Sequence, residues 1–404
     1  MPTRTKSFPG WPIFGEEEKK AVCDVIDSGK WWYGEKIAEF EKKFADFQGA
    51  KYAVTTCNGT IGLEIALIVC GIGAGDEVIV PAYTFIATAS SVLKANAIPV
   101  FADISEKTLC ISPESIEKLV TKKTKSIIPV HIAGQPADMD RIMEIAAKHN
   151  LKVIEDAAQA WSAQWHNRGV GAIGDIGEFS FQASKNLNAG EGGILLTNNA
   201  ELAEAARSYT NCGRGKGKGW YEHYILAGNY RMTEFQAAIL LVQLTRFEEL
   251  ENIRRENAEY LNKKLSQIDG IQTIHTDPRV TKRPYHIYIF KYLENKFCGI
   301  PRELFLKALE AEGIPARSGY PFPLYENPLF QKKGEGPGFC PLSCPYYGKE
   351  IDFSNSSCPV TERISKKEAV WLRQEMLLGT KEDMDDIVGA IKKIRENAKD
   401  IKGG

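Results

Sequence analysis

Lys185 stands in the stretch Phe179-Ser180-Phe181-Gln182-Ala183-Ser184-Lys185-Asn186-Leu187-Asn188-Ala189-Gly190-Glu191-Gly192-Gly193. A short apolar strand (Ile176, Phe179, Phe181) leads into a small-residue loop that carries the lysine. A glycine cluster then opens a second apolar run, Ile194-Leu195-Leu196. A tight loop between buried strands is a poor place for a solvated charge. It suits an amine that stays desolvated, sheds its proton and attacks a carbonyl to form a Schiff base. An ordinary surface lysine is the competing reading, and residues elsewhere in the chain turn the balance toward chemistry.

Three other stretches carry complementary chemistry. In Thr55-Thr56-Cys57-Asn58-Gly59-Thr60-Ile61 a strand end turns into a helix that begins near Gly59. The unpaired N–H groups and partial positive charge of a helix N-terminus can hold a phosphate. Gly59 permits close approach and Thr60 adds a hydroxyl, although ordinary helix capping uses the same residue types. In Leu151-Lys152-Val153-Ile154-Glu155-Asp156-Ala157-Ala158-Gln159-Ala160 an apolar strand delivers acids to its C-terminal end, where open α/β sheets bind ligands. The two alanines after Asp156 leave room for a flat ring. A buried aspartate needs a cationic partner, and a protonated pyridine nitrogen would serve; a solvated acidic strand end is the alternative. In Pro81-Ala82-Tyr83-Thr84-Phe85 an aromatic at a strand end either stacks on a ring or fills core. Ser180, on the strand before the lysine, could add a phosphate contact.

A phosphate cradle, a ring acid, a stacking aromatic and an amine nucleophile together describe a site for pyridoxal 5′-phosphate (PLP). The order of these motifs also resembles the DegT/StrS-type sugar aminotransferases, fold-type I PLP enzymes. The likeness rests on Asn58-Gly59-Thr60, Pro81–Phe85, Pro129-Val130-His131-Ile132-Ala133-Gly134, Glu155–Gln159, Ser180–Gly193 and Asn229-Tyr230-Arg231-Met232-Thr233-Glu234-Phe235-Gln236-Ala237-Ala238. It runs from about residue 10 to about 395. The resemblance implies that Lys185 is the Schiff-base lysine and that Asp156 faces the pyridine nitrogen. It implies further that Gln159 lies near the ring 3-hydroxyl and that Phe85 stacks on the ring. Gly59, Thr60, Ile61 and Ser180 match phosphate contacts, and Asn229 matches a residue that reaches the neighbouring subunit's phosphate. A homodimer with shared active sites follows from the likeness.

The implied reaction is a two-stage transfer of an amino group from glutamine or glutamate to a ketone. Gln182 follows Phe181 where many nucleotide-sugar members carry an aromatic and then proline. Tyr325 closes Gly319–Tyr325 where many of them carry histidine. These departures favour a keto-cyclitol of the inosose type over a nucleotide-linked keto-sugar. A dehydratase of the aminohydroxybenzoate-synthase type keeps the lysine and is the alternative. A protein that binds PLP without turnover is disfavoured by Lys185, Asp156 and Gln159, and a dinucleotide oxidoreductase by the lack of a G-x-G-x-x-G motif. Trp32, Tyr33, His131, Arg231, Tyr320 and Tyr325 are candidate substrate residues. Competing roles stay open: subunit contact for Trp32 and Tyr33, core for His131, a structural salt bridge for Arg231. Tyr285 and His286 could also line the pocket.

The elements that position these residues alternate. Apolar runs at 52–54, 78–80, 99–101, 126–130, 151–154, 179–181 and 194–196 are separated by helices such as 59–71, 85–95 and 138–149. That pattern predicts an α/β fold with a mostly parallel sheet flanked by helices. Helices at 16–28 and 36–47 form an N-terminal arm, and 233–268 reads as one long helix or a bent pair. Residues 1–250 are expected to form a large PLP-binding α/β domain and 251–404 a smaller α+β domain. A net charge of −1 and ordinary composition suggest no nucleic-acid partner. The start, MPTRTKSFPGWPIFG, has no apolar core of signal-peptide length, and no uninterrupted apolar run reaches membrane-span length. Nine scattered cysteines read as reduced cytoplasmic thiols. Cys340, Cys344 and Cys358 lie close together but lack the partners of a metal site, so no metal is expected.

Overall fold

The computed structural model describes residues 1–331, 347, 351–354 and 356–403. Cys340 and Cys344 lie outside the described residues, while Cys358 is buried beside the Phe101 carbonyl.

Helix α1 (Glu16–Ser28) and helix α2 (Glu35–Gln48) precede the first strand, β1 (Tyr52–Thr56). Helix α3 (Gly59–Val69), β2 (Glu77–Pro81), helix α4 (Ile86–Lys94) and β3 (Ile98–Ala102) follow. Then come β4 (Thr124–Ile127) and β5 (Lys152–Asp156). A small pair, β6 (Gln164–Trp165) and β7 (Arg168–Gly169), precedes β8 (Ile176–Ser180) and β9 (Gly193–Thr197). The last strands are β10 (Ile271–Thr273), β11 (Val280–Lys282), β12 (Ile287–Tyr292) and β13 (Ala369–Arg373).

Seven strands make the central sheet in the order β1-β9-β8-β5-β4-β2-β3. Only β9 runs against its neighbours; the rest point one way. Strands covered on both faces read as unbroken apolar runs, and β2, β8 and β9 are buried along their whole length. This is the mostly parallel α/β sheet expected from the alternation of elements.

The arm packs where its spacing predicts. In α2, Ile37, Phe40, Phe44 and Ala45 lie on one helical face and are buried. Phe44 meets Phe179 edge-on at 5.1 Å and Phe181 at 5.5 Å, so the arm clamps the outer face of the strand that leads to Lys185. The N-terminus of α2 is capped from a distance. Glu234 accepts from the N–H groups of Gly34, Lys36 and Ile37 at 2.9 to 3.0 Å.

The long C-terminal helical stretch is the bent pair of the two alternatives. Glu234–Thr245 and Phe247–Leu265 are separate helices that meet at Arg246. Beyond them, β10, β12 and β13 form an antiparallel sheet. Its core (Tyr288, Phe290, Tyr292, Phe305 and others) is distinct from the two clusters around the central sheet. Strands β6, β7, β11 and β13 are additions to the sequence reading. β6 and β7 have two residues each, too few to show a period. No described helix is long and apolar enough to cross a membrane.

Candidate active site

The C-terminal ends of β1, β2, β5 and β8 point to one edge of the sheet, and a cavity of about 770 Å³ opens there. Each strand delivers one component. After β1, Asn58 caps α3 by accepting the Ile61 N–H at 3.0 Å. That cap uses the Ile61 donor and leaves the N–H groups of Gly59 and Thr60 at the mouth of the helix. After β2, Thr84 and Phe85 enter α4; Phe85 is 57% exposed although it lines the cavity. After β5 come Asp156, Ala158 and Gln159, and after β8 come Ser180 and the loop with Lys185.

Hydrogen bonds hold these groups in place. Thr88 donates to Asp156 Oδ2 at 2.8 Å, and the Ala158 N–H approaches Oδ1 at 3.3 Å. Gln159 Oε1 accepts from the Ala133 N–H at 2.7 Å, and its amide reaches Tyr320 Oη at 3.4 Å. Ala133 itself is left-handed at φ 56°, which turns its N–H onto Gln159. Tyr320 stands edge-on to Trp371 at 4.8 Å, and Trp371 donates to Tyr83 Oη at 3.0 Å.

Burial dominates the electrostatics. It lowers the proton affinity of the Lys185 amine, against the pull of Asp156 and Glu178. It raises the Asp156 carboxyl above the ordinary range, only partly offset by Thr88. It also pushes His286 well below its usual value, with Lys185 and Arg254 adding to the effect. His286 is therefore a neutral imidazole, its Nδ1 paired with Asn186 Oδ1 at 2.9 Å. A buried amine whose proton is loosened by desolvation, beside a fixed acid and a helix N-terminus, can perform nucleophilic and proton-transfer chemistry on an anionic, ring-bearing ligand.

Residues 12–352 match the model of the DegT/DnrJ/EryC1/StrS aminotransferase family. The chain belongs to this family. It is an aminotransferase. A protein of Streptoalloteichus tenebrarius described as a putative L-glutamine:3-amino-2,3-dideoxy-scyllo-inosose aminotransferase is 38% identical, over 98% of this chain and 96% of its own. The crystal structure of 3-amino-5-hydroxybenzoic acid (AHBA) synthase superposes with a TM-score of 0.85 at 32% identity, covering 96% of this chain and 98% of that one. NtdA of Bacillus subtilis, solved with bound cofactor PMP, superposes with a TM-score of 0.81 at 26% identity, covering 94% and 82%.

In the aminotransferase the cavity brings together Gly59, Thr60, Ile61, Phe85, Asp156, Gln159, Ser180, Lys185 and Tyr320. The other candidates lie elsewhere. His131 is fully buried beneath the site. Its Nδ1 accepts the Ala137 N–H at 3.1 Å, so Nε2 carries the proton and donates to Glu155 at 3.0 Å. Burial alone would raise the Glu155 carboxyl, but His131 and the N–H groups of Gly174 and Gly171 hold it below the ordinary value. His131 is thus core support, and its reading as a substrate contact is corrected.

Tyr325 is corrected as well. The short turn Leu324–Glu326 rotates it away from Tyr320, into the cluster of Phe101, Phe330 and Phe353, where its hydroxyl donates to Glu362 at 2.6 Å. Arg231 bonds the Asn211 amide oxygen at 2.8 Å and covers the Trp32 ring at 4.8 Å, so neither reaches this chain's cavity. Tyr33 is exposed next to Trp32, and Asn229 is exposed on the backbone bridge to Asn211.

Some residues of the site and its support had no place among the sequence candidates. Thr88, which supports Asp156 without lining the cavity, lies one helical turn beyond Thr84, a spacing that could have flagged it. Trp371 comes from β13, far along the chain, and nothing local marks it. Glu178 stands two residues before Ser180 on the same strand face, and nothing local marks it as part of the cavity.

Proposed function

We propose that this aminotransferase uses PLP to move an amino group from glutamine or glutamate to a keto-cyclitol of the inosose type. The observation that carries the reading is the convergence of Lys185, Asp156 and Gln159 on one cavity walled by the N-terminus of α3. The residues fit the cofactor. Gly59 and Thr60 offer free backbone donors and Ser180 a hydroxyl for a phosphate. Asp156 is a buried acid with only hydroxyl and amide partners, so a cationic ring nitrogen would complete it. Phe85 exposes an aromatic face in the cavity that a ring would cover. The PMP-containing relative supports the same cofactor.

When bound, PLP supplies an electrophilic carbonyl and an electron-withdrawing ring. The chain's own residues do the rest. Burial keeps the Lys185 amine ready to give up its charge, so Nζ can take the proton from the donor's α-carbon and return it elsewhere. Thr88 fixes Asp156 so that its carboxylate holds a proton on the ring nitrogen. Gln159, pinned by the Ala133 N–H, orients the ring's oxygen substituent. Tyr320 and Trp371 wall the space left for the acceptor.

The inosose aminotransferase relative, 38% identical along nearly the whole chain, supports a carbocyclic acceptor and glutamine as donor. The likeness to AHBA synthase keeps a dehydratase as the second reading. We further propose a homodimer in which Asn229 reaches the partner's cofactor phosphate. Exposed apolar residues, among them Trp220 at 78% and Leu226 at 97%, support a covered face. The separate core of the C-terminal sheet supports a division into domains near residue 250. The free thiols of Cys23, Cys57 and Cys298 fit a cytoplasmic location.

The test loads the purified protein with PLP and follows the cofactor's absorbance with each donor, then with a panel of inososes and nucleotide-linked keto-sugars. Amine gained on an inosose supports the reading. Loss of water assigns a dehydratase, and no half-reaction with glutamine or glutamate overturns the transferase proposal.

A further inference from the structure

Glu178 is a component of the cavity that the cofactor reading leaves unexplained. It is fully buried, and neither carboxyl oxygen has a hydrogen-bond partner among the described residues. An isolated ionised carboxylate in such a place is costly. The fold nevertheless makes room for it. A Cβ built on Gly59 would overlap Glu178 Oε1, and one on Gly62 would lie 2.8 Å from Glu178 Cγ. Two glycines in the first turn of α3 therefore seat this side chain directly against the anion-binding end of the helix. Ser180, the phosphate hydroxyl, is two residues along on the same face of β8.

A carboxylate there would repel a phosphate, whereas a carboxylic acid would bond to it. We propose that Glu178 holds the phosphate of PLP as a neutral acid, donating its hydroxyl proton to a phosphate oxygen, so that the protein lets go of PLP as pH rises. The inference rests on the PLP reading above and assigns a cofactor-holding residue within it. The surroundings agree. Burial lifts the Glu178 carboxyl well above the ordinary range; Asp156 on β5 raises it further and Lys185 opposes. From α3, Gly59 and Gly62 lie against it, from β9 its register partner is Leu195, and Glu191 and Lys94 line the same cavity. A phosphate brought close would hold the proton more tightly still. Binding is then strongest below the free protein's titration and weakens above it, by up to about tenfold per pH unit for one proton.

The experiment measures PLP and pyridoxal affinity from pH 6 to 10, by equilibrium dialysis and cofactor absorbance, on cofactor-free wild type and Glu178→Gln. The amide keeps a neutral donor, so Glu178→Gln should hold PLP through the alkaline range where the wild type loses it tenfold or more. Pyridoxal, which lacks the phosphate, should show the same pH slope in both proteins. Infrared difference spectra of wild type should show a neutral carboxyl band that moves on adding PLP and not on adding pyridoxal. This keeps the proposal testable if the variant does not fold. Equal PLP slopes in the two proteins, or an unmoved band, overturn the Glu178 assignment while PLP binding stands. A difference that persists with pyridoxal assigns Glu178 to the ring or to Lys185 instead, and overturns the phosphate contact. Failure of the wild type to take up PLP removes both readings.

Discussion

Asp156 and Glu178 are register partners on the parallel strands β5 and β8, and both project onto the face covered by α3 and α4. Two acids on one rung of a buried sheet cost stability in the absence of a ligand. Both carboxyls are raised by burial, so the folded chain holds their protons more tightly than the unfolded chain does. The stability from those protons is full below the ordinary carboxylate pKa and is lost as pH climbs through the raised folded values.

Asp156→Asn should therefore stabilise the cofactor-free protein at neutral and alkaline pH while removing most amino transfer. The amide needs no proton at any pH, so the variant keeps the stability that the wild type loses as pH rises through the raised Asp156 titration. Urea unfolding of cofactor-free wild type and variant at pH 5 and pH 8 checks it. The gain must be larger at pH 8, and an equal loss at both values would contradict the linkage.

Lys185→Ala should slow the half-reaction with the amino donor by about 10²–10⁴-fold, the usual worth of a positioned proton-transfer group. The cradle at α3 does not depend on the amine, so PLP should still bind through its phosphate. Added methylamine should restore part of the rate if the missing function is proton transfer by an amine. Single-turnover kinetics with and without methylamine reads this directly, and a variant unresponsive to amine but otherwise folded would point to a positional role.

The central strands were legible because they are buried on both faces and alternate with helices of the right length. The Lys185 loop and the α3 cap were legible because glycines and small polar residues have few other uses between apolar strands. Tyr325 and Trp371 show where local reading ends. A turn at Leu324–Glu326 sends Tyr325 into core, and β13 carries Trp371 to the cavity from almost two hundred positions after Lys185. Glu178 failed for another reason. Strand alternation treats it as one more buried position, and only the glycines opposite reveal that a carboxyl is seated there.

Phe44 joins the arm to the strand that carries the site. It is fully buried against Phe179 and Phe181. Phe44→Ala should cost about 3–5 kcal/mol by the lost transfer energy and the cavity left behind. Phe179 and Phe181 flank Ser180 on the opposite strand face, so loosened packing should also weaken PLP binding. Chemical denaturation checks the first effect and dialysis of the cofactor the second. A variant as stable as wild type would mean that the arm contributes little in solution.

Gly59→Ala separates packing from backbone preference. Gly59 lies in the first turn of α3 without a positive φ, so alanine suits the helix, and removing a glycine favours it by up to about 1 kcal/mol. Against that, the new methyl would collide with Glu178 Oε1 and crowd Ser180 Cβ at 3.0 Å. Overpacking of this kind costs about 1–3 kcal/mol, so Gly59→Ala alone should destabilise the protein and weaken its hold on PLP. In the Glu178→Ala background the main obstacle is gone, and the same change should be close to neutral, with the Ser180 contact remaining. The double-mutant cycle should then show a coupling of about 1 kcal/mol or more between positions 59 and 178. Additive effects would mean that α3 shifts to relieve the overlap, and that the two glycines are not what seats the glutamate.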